Sequence, residues 1–127
     1  RREIAAAYNE TLASLEGVEP LAVSPDVEHA YHLYVVQLAD GIDRARVFQL
    51  MRDGGVGVNV HYIPAHMHPF YRREFGTGPG TCPVAEAAYE RIISLPMYPG
   101  LSDDDIANVL ATLRSSLDNA QAPSPRT

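Results

Sequence analysis

The sequence predicts an α+β fold in which about four helices pack on a three-stranded sheet. Three short segments, 31–38, 56–62 and 92–95, are rich in β-branched and aromatic residues. Other segments repeat apolar residues at helical spacing, and prolines and glycines separate the two kinds of segment. A chain of 127 residues can bury one modest core, so we expect a single domain.

The three predicted strands have different patterns. Segment 31–38 is largely apolar on both faces, which is typical of a strand that is covered on both sides. Between residues 56 and 62, apolar residues alternate with small or polar ones, so one face is expected to be buried. The apolar set is Val56, Val58, Val60 and Tyr62, and the other set is Gly57, Asn59 and His61. Pro64 and Pro96 end the second and third strands.

The four predicted helices cover residues 3–15, 44–53, 83–91 and 103–117. Asp43 is a favourable N-cap for the second helix, and Pro83 suits the first turn of the third. Ser102 and Asp105 form a capping-box pattern at the start of the fourth. The order across residues 31–62 is therefore a strand, a helix and a strand.

Residues 1–117 are predicted to form the folded domain, and the polar residues 118–127, which include two prolines, a disordered tail. The chain begins at Arg1 without a methionine or a secretory signal, so we expect a piece of a longer protein. Its single cysteine, Cys82, cannot form an internal disulfide, which fits a cytoplasmic location.

Composition argues against two classes of partner and one kind of chemistry. The formal net charge of −6 argues against a general nucleic-acid-binding domain, whose surface is usually basic. No apolar run approaches the ~20 residues that a membrane span needs, so no membrane partner is expected. The chain contains no lysine, and its 10 basic residues are all arginine. Because arginine stays protonated, no side chain here is expected to form a Schiff base.

Three of the 5 histidines, His61, His66 and His68, lie close together at the end of the second predicted strand and in the loop after it. Such a position often carries function, because a rigid strand can hold loop side chains in place. Three interpretations are open: binding of a polar ligand, ordinary hydrogen bonding within the loop, and a metal site completed by Glu74 or Cys82. The spacing matches no standard zinc pattern.

Neighbouring residues offer further candidates. Asn59 shares the polar strand face with His61, and these two could form the wall of a polar ligand site. Arg72 and Arg73 could meet a phosphate, although a solvated surface pair is the simpler interpretation. Cys82 could be activated at a helix N-terminus, but no histidine can be assigned as its base, which favours a capping or packing role.

Five motifs in a fixed order indicate a family. The segment from Val58 to Tyr71, Val-Asn-Val-His-Tyr-Ile-Pro-Ala-His-Met-His-Pro-Phe-Tyr, resembles the C-terminal part of sugar-nucleotide aminotransferases of the DegT type, which depend on pyridoxal 5'-phosphate (PLP). The resemblance continues over nearly the whole chain. The other matching motifs lie at residues 1–8, 32–34, 82–86 and 94–102.

The resemblance implies an aspartate-aminotransferase-like (fold type I) enzyme, of which this chain is the small domain. PLP would be held by a lysine in a large domain upstream, glutamate would donate the amine, and the active sites would lie at a homodimer interface. The segment from Val58 to Tyr71 is most similar to the corresponding segment of UDP-4-amino-4,6-dideoxy-N-acetyl-beta-L-altrosamine transaminases. These enzymes aminate a UDP-linked 4-keto-6-deoxy sugar.

The resemblance also implies site residues. His61 and Tyr62 would bind the sugar nucleotide, with His66, His68 and Asn59 as further substrate-binding candidates. No catalytic residue and no metal ligand is expected in this segment, which should bind no PLP and be inactive by itself. The alternative is an independent binding module for a small ligand, with the loop at 61–71 as its site.

Overall fold

The computed structural model describes residues 1–120 and contains one antiparallel sheet of three strands in the order β1-β2-β3. The strands are β1 (Val18–Pro20), β2 (Tyr34–Leu38) and β3 (Ile92–Leu95). The central strand β2 pairs with both neighbours, and Val36 lies opposite Ile93. The predicted α+β class with three strands is confirmed.

Central strand β2 supplies one row of core side chains. Tyr34, Val36 and Leu38 are buried, whereas Val35 and Gln37 are half-buried, as expected when successive side chains point to opposite faces. The strand is shorter than predicted because residue 31 is not extended: Tyr31 has φ 48, in the left-handed region. The Arg1 guanidinium donates hydrogen bonds to the Tyr31 and His32 carbonyls at 3.0 and 2.9 Å and holds that turn.

The strand predicted at 56–62 is wrong. Val56 and Val58 are buried in the core as the alternation required, but this segment makes only a single bridge, between Asn59 and Ser94 of β3. Local hydrogen bonds explain the difference, because the Val58 amide donates to the Val56 carbonyl and the Asn59 side chain accepts from the Val60 amide. Amides that are bonded locally cannot extend the ladder.

The third strand is β1, which lies between the first predicted helix and the first predicted strand, where no strand was predicted. Its three residues have little pattern, and Pro20 lacks the amide hydrogen that a central strand needs. β1 is an edge strand, where a proline is tolerated. The predicted order of strand, helix and strand at 31–62 would give parallel neighbours, but both pairings in the sheet are antiparallel.

Residues 1–120 form five α-helices, one more than the four or so that were predicted. They are α1 (Arg2–Leu12), α2 (Arg44–Asp53), α3 (Pro69–Phe75), α4 (Pro83–Arg91) and α5 (Asp103–Ala120). Helices α2 and α5 pack against each other, α1 contacts α5, and α4 contacts β2. No helix among residues 1–120 is both long and apolar enough to cross a membrane.

Helix starts follow the predicted caps. Asp43 accepts a hydrogen bond from the Arg46 amide at 3.0 Å. Ser102 and Asp105 bond reciprocally, since the Asp105 amide donates to the Ser102 hydroxyl at 3.1 Å and the Asp105 carboxylate accepts from the Ser102 amide at 3.1 Å. These bonds occupy amides that would otherwise lack partners at a helix N-terminus.

Helix α3 was missed because the residues from Pro64 to Tyr71 were interpreted as an irregular loop. Its start and end carry standard signals: Pro69 stands in the first turn, and Gly76 ends the helix with φ 64. Helix α5 continues to Ala120, so residues 118–120 are helical and not part of the predicted tail. The rest of that predicted tail, 121–127, lies outside the described residues.

The packing of α2 against α5 gives a testable prediction at Gly54, just after α2. A Cβ at this position would lie 2.7 Å from the Thr112 Cγ2 atom on α5. We expect Gly54→Ala to lower the free energy of unfolding by about 1–2 kcal/mol, because the two helices would have to move apart. Urea denaturation checks this. Thr112→Ala should restore most of the loss in the double variant, and equal losses in the single and double variants would refute the steric explanation.

Candidate functional site

The candidate site is the histidine loop, which we define as residues 61–68. It leaves the sheet just after Asn59, whose amide and carbonyl bond to Ser94 of β3 at 3.2 and 2.7 Å. A 3-10 turn at Ala65–Met67 follows, and helix α3 begins directly after His68. The loop is therefore held by the sheet at one end and by a helix at the other.

The imidazole of His61 is held by a residue of the sheet. Its Nδ1 atom lies 2.9 Å from the hydroxyl of Ser94, a residue that is only 4% exposed. Among residues 1–120, no group bonds to the Nε2 atom of His61, and the atom is not fully buried, so it can meet a ligand. Tyr62 follows with 67% of its surface exposed, and its ring packs edge-on against the imidazole at 4.7 Å between centroids. The pair combines one oriented imidazole with one accessible phenol.

His66 has a different environment. Its Nε2 atom lies 2.8 Å from a carboxylate oxygen of Glu86 on α4, and its side chain is only 10% exposed. The same carboxylate accepts hydrogen bonds from the Gly80 and Cys82 amides. These two backbone bonds, followed by the bond to His66, lower the pKa of Glu86 below its ordinary value of 4.5. Glu86 is therefore a charged acceptor at neutral pH.

The other two predicted site residues, His68 and Asn59, are exposed. His68 is exposed and precedes α3, where it makes no capping bond through its side chain. The side-chain oxygen of Asn59 accepts from the Val60 amide at 2.8 Å, which leaves the amide group of that side chain for other partners.

Sequence-predicted residues thus separate into two groups. Tyr62 and His68 have exposed side chains, and His61 has one unbonded ring nitrogen. The His66 ring, in contrast, is bonded to Glu86. No group of three or more histidine, cysteine or acidic side chains within residues 1–120 is arranged to hold a metal ion. Instead of converging, His61 and His66 bond to different residues, Ser94 and Glu86.

The two arginines after the loop have neighbours of their own. Arg73 bonds to Glu74 at 2.7 Å and lies over the Phe70 ring at 5.8 Å, which agrees with a solvated surface group. Arg72 is exposed. Cys82 is exposed and is the N-cap of α4, but its side chain makes no capping bond.

Exposed aromatic residues lie next to the histidine loop. Phe70, Tyr71 and Phe75 on α3 are 54%, 43% and 67% exposed, and their rings pack against one another. Val84 at the start of α4 is 83% exposed. A surface this rich in exposed apolar groups is typical of one that is covered by another part of a protein.

Two residues that bond to the loop histidines, Ser94 and Glu86, were not identified as candidates from the sequence. Ser94 is the one polar residue in an otherwise apolar strand, and an isolated polar residue in a buried strand usually has a specific partner. Glu86 lies four residues after Cys82 in the first turn of α4, a position that favours an acid for helix capping. Neither signal identifies a histidine as the partner, because that depends on the path of the loop.

A second concave region was also not predicted. A cleft of about 670 Å³ lies beside β1 and β2, and His29, Tyr31 and His32 are among its lining residues. The Tyr31 amide donates to the His29 ring at 2.8 Å, so part of this polar surface is already bonded within the chain.

PLP, which the sequence resemblance implies, needs a lysine for covalent attachment. None of the 127 residues is lysine, and the imidazoles of the histidine loop do not form the same stable linkage. The residues present therefore do not fit the role of cofactor anchor, and no step through PLP is assigned to this chain.

Comparison with known proteins identifies the family. Residues 1–114 match the sequence profile of the DegT/DnrJ/EryC1/StrS aminotransferase family. MJ1066 of Methanocaldococcus jannaschii, an uncharacterized protein, is 41% identical over 117 residues, which are 90% of this chain and 30% of that protein. The spore coat polysaccharide biosynthesis protein SpsC of Bacillus subtilis is 36% identical over 124 residues, 94% of this chain and 32% of SpsC.

Solved structures agree with this family assignment. Spr1654 of Streptococcus pneumoniae, assigned as a sugar aminotransferase and solved in its PMP form, superimposes with a TM-score of 0.86 at 27% identity, over 94% of this chain and 30% of its own. The predicted likeness to the small domain of fold type I aminotransferases is confirmed by such superpositions. The chain spans about a third of the length of the curated relatives. With 114 of its 127 residues matched, the chain belongs to the DegT/DnrJ/EryC1/StrS aminotransferase family.

Proposed function

We propose that the complete protein is a PLP-dependent aminotransferase that transfers an amino group from glutamate to a nucleotide-linked 4-keto-6-deoxy sugar. Enzymes of this family use PLP, and Spr1654 has been solved in PLP and PMP forms. The substrate sugar we propose is a UDP-linked N-acetylhexosamine, on the basis of the motif from Val58 to Tyr71. The lysine that binds PLP would lie in a large domain, outside this segment.

The role proposed for this segment is to form one wall of the sugar site. The observation that carries it is the pair of His61, held by Ser94 at 2.9 Å, and Tyr62, which is 67% exposed. An oriented imidazole beside an accessible phenol suits hydroxyl groups and a diphosphate, because both side chains can donate hydrogen bonds. His68 and Asn59 are further candidates for contact with substrate, and His66 supports the loop.

A homodimer is also part of the proposal. The exposed aromatic residues of α3 lie beside the histidine loop, and a subunit or domain that covers them would enclose the sugar site at the same time. Exclusion of water strengthens the hydrogen bonds that position a polar substrate.

The experiment measures glutamate-dependent amination by the complete protein, with PLP and a UDP-linked 4-keto-6-deoxy sugar. Tyr62→Ala should raise KM for the sugar about tenfold, which corresponds to the loss of one good hydrogen bond and its packing. Tyr98→Ala is the matched control, since Tyr98 is 49% exposed and lies outside the histidine loop. Unchanged KM in Tyr62→Ala and His61→Ala would remove these residues from the sugar site.

A second candidate function is binding of a small ligand by this chain alone. The unbonded Nε2 atom of His61 favours it, because a ligand could bond there without a second domain. Calorimetry of the 127-residue chain with the sugar nucleotide separates the two. Affinity equal to that of the complete protein would favour the independent module, whereas binding only by the complete protein supports a shared site.

A further inference from the structure

Glu86 joins three segments of the chain through one carboxylate. Its oxygens accept from the Gly80 amide at 2.9 and 3.0 Å, from the Cys82 amide at 3.1 Å and from the His66 imidazole at 2.8 Å. Two donors, Gly80 and Cys82, lie directly before α4, and the third belongs to the histidine loop. Helix α4 itself contacts the central strand β2, so the carboxylate is mounted on a part of the fold that is connected to the sheet.

The hydrogen bond to this carboxylate determines which ring nitrogen of His66 acts as a donor. The hydrogen bonds from Gly80, Cys82 and His66 lower the pKa of Glu86, so the group is ionised at neutral pH and can only accept hydrogen bonds. The nitrogen of His66 that faces it, Nε2, must therefore carry a proton. The bond at 2.8 Å holds the orientation of the His66 ring.

A second bond holds His66 through its backbone. The Thr77 hydroxyl donates to the His66 carbonyl at 2.8 Å. His66 is the middle residue of the 3-10 turn at Ala65–Met67, and the turn stands between Tyr62 and His68 in the chain. The position of the turn therefore decides where those two accessible side chains project.

We propose that Glu86 is a positioning residue, which holds the histidine loop in place through His66 so that Tyr62 and His68 face the substrate. This inference rests on the proposed function for the identity of the substrate. Helix capping alone explains the Cys82 bond, because an acid in the first turn of a helix can accept from the amide of the N-cap residue. Capping does not require a bond to a histidine 20 residues earlier, whose side chain is only 10% exposed.

Amide hydrogen exchange of the 127-residue chain, measured by NMR, tests the positioning role. The reporters are the amides of Met67 and His68, which bond to the Pro64 and Ala65 carbonyls at 2.9 and 3.1 Å. Glu86→Ala and His66→Ala should each speed exchange at these amides about tenfold, because either change removes the same charged hydrogen bond. The double variant should show no further increase.

The control is Glu90→Ala, one turn further along α4, which should leave both reporter amides unchanged. If His66→Ala leaves the reporters at the wild-type rate, and Glu86→Ala speeds exchange only around Gly80 and Cys82, Glu86 is a helix cap alone and the proposal is overturned. Should Glu86→Ala fail to fold, Glu86→Gln keeps the size and one acceptor oxygen while removing the charge, and it is scored by the same criterion.

The kinetic consequence is measured on the complete protein. Glu86→Gln should raise KM for the sugar nucleotide about tenfold and change kcat less than about threefold, because ground-state binding is lost while the chemistry occurs elsewhere. Faster exchange with unchanged KM would refute the link to the substrate. Absence of any transamination by the wild-type protein would refute the proposed function, while the exchange experiment would still decide whether Glu86 holds the loop.

Discussion

Leu113→Ala is expected to lower the free energy of unfolding of this chain by about 3 kcal/mol, because it leaves a cavity where α5 meets the rest of the core. Leu113 is fully buried at 0% exposure, in a cluster that includes Met51 of α2 and Val36 of β2. The loss is measured by urea denaturation. An unchanged slope of the transition (the m-value) checks that the variant still unfolds in a two-state manner.

A matched control for this prediction is Leu21→Ala. Leu21 is 48% exposed and lies outside the core cluster, so its removal should change the free energy of unfolding by less than about 0.5 kcal/mol. Similar losses in the two variants would mean that α5 does not pack on the core as described.

Tyr8→Ala is expected to be at least as damaging, with a loss of about 4 kcal/mol. Tyr8 is fully buried on α1, its ring lies 4.8 Å from that of Tyr34, and its hydroxyl donates to the Pro96 carbonyl at 2.9 Å. Tyr8→Phe keeps the ring and removes only the hydrogen bond, so its expected loss is about 1–2 kcal/mol. Thermal and urea unfolding of the two variants separate the contribution of the ring from that of the hydroxyl.

The hydroxyl of Tyr8 also predicts a pH dependence. Burial, followed by the nearby Tyr34, Tyr98 and Asp105, raises the pKa of Tyr8 above its ordinary value of 10.0. The folded chain then keeps this proton at pH values where the unfolded chain loses it, so the stability from the protonated form is complete below pH 10.0 and declines above it. Tyr8→Phe should decline less steeply in that range. Some slope should remain, because burial raises the pKa of Tyr34 as well. Equal slopes would show that the Tyr8 proton is not linked to folding.

Local sequence signals predicted the parts of the fold that depend on few neighbours. Helix α2 has the predicted bounds because Asp43 caps its start and the glycines after Asp53 end it. Strand β3 is as predicted because Pro96 stops it. The same kind of local signal, Pro69 before and Gly76 after, marks α3, so its omission came from treating the histidines as an irregular loop.

Local sequence signals could not predict which segments pair with each other in the sheet. Residues 56–62 alternate as a strand does, yet the Val58 and Val60 amides bond within the segment, and only Asn59 reaches the sheet. Val18–Pro20 has almost no pattern and still forms β1, because the edge of β2 is available to it. Whether a segment joins a sheet depends on which edge it meets, and that is a property of the whole chain.

By itself the sequence determined the family, the α+β class, the helix caps and the absence of a Schiff-base lysine, since each depends on residue identity or on neighbours a few positions away. Only the tertiary structure decided that His61 meets Ser94 and that His66 meets Glu86, because those partners are 33 and 20 residues distant in the chain. Three histidines that look equivalent along the sequence become different in the fold, because burial and available partners are properties of the place each side chain occupies.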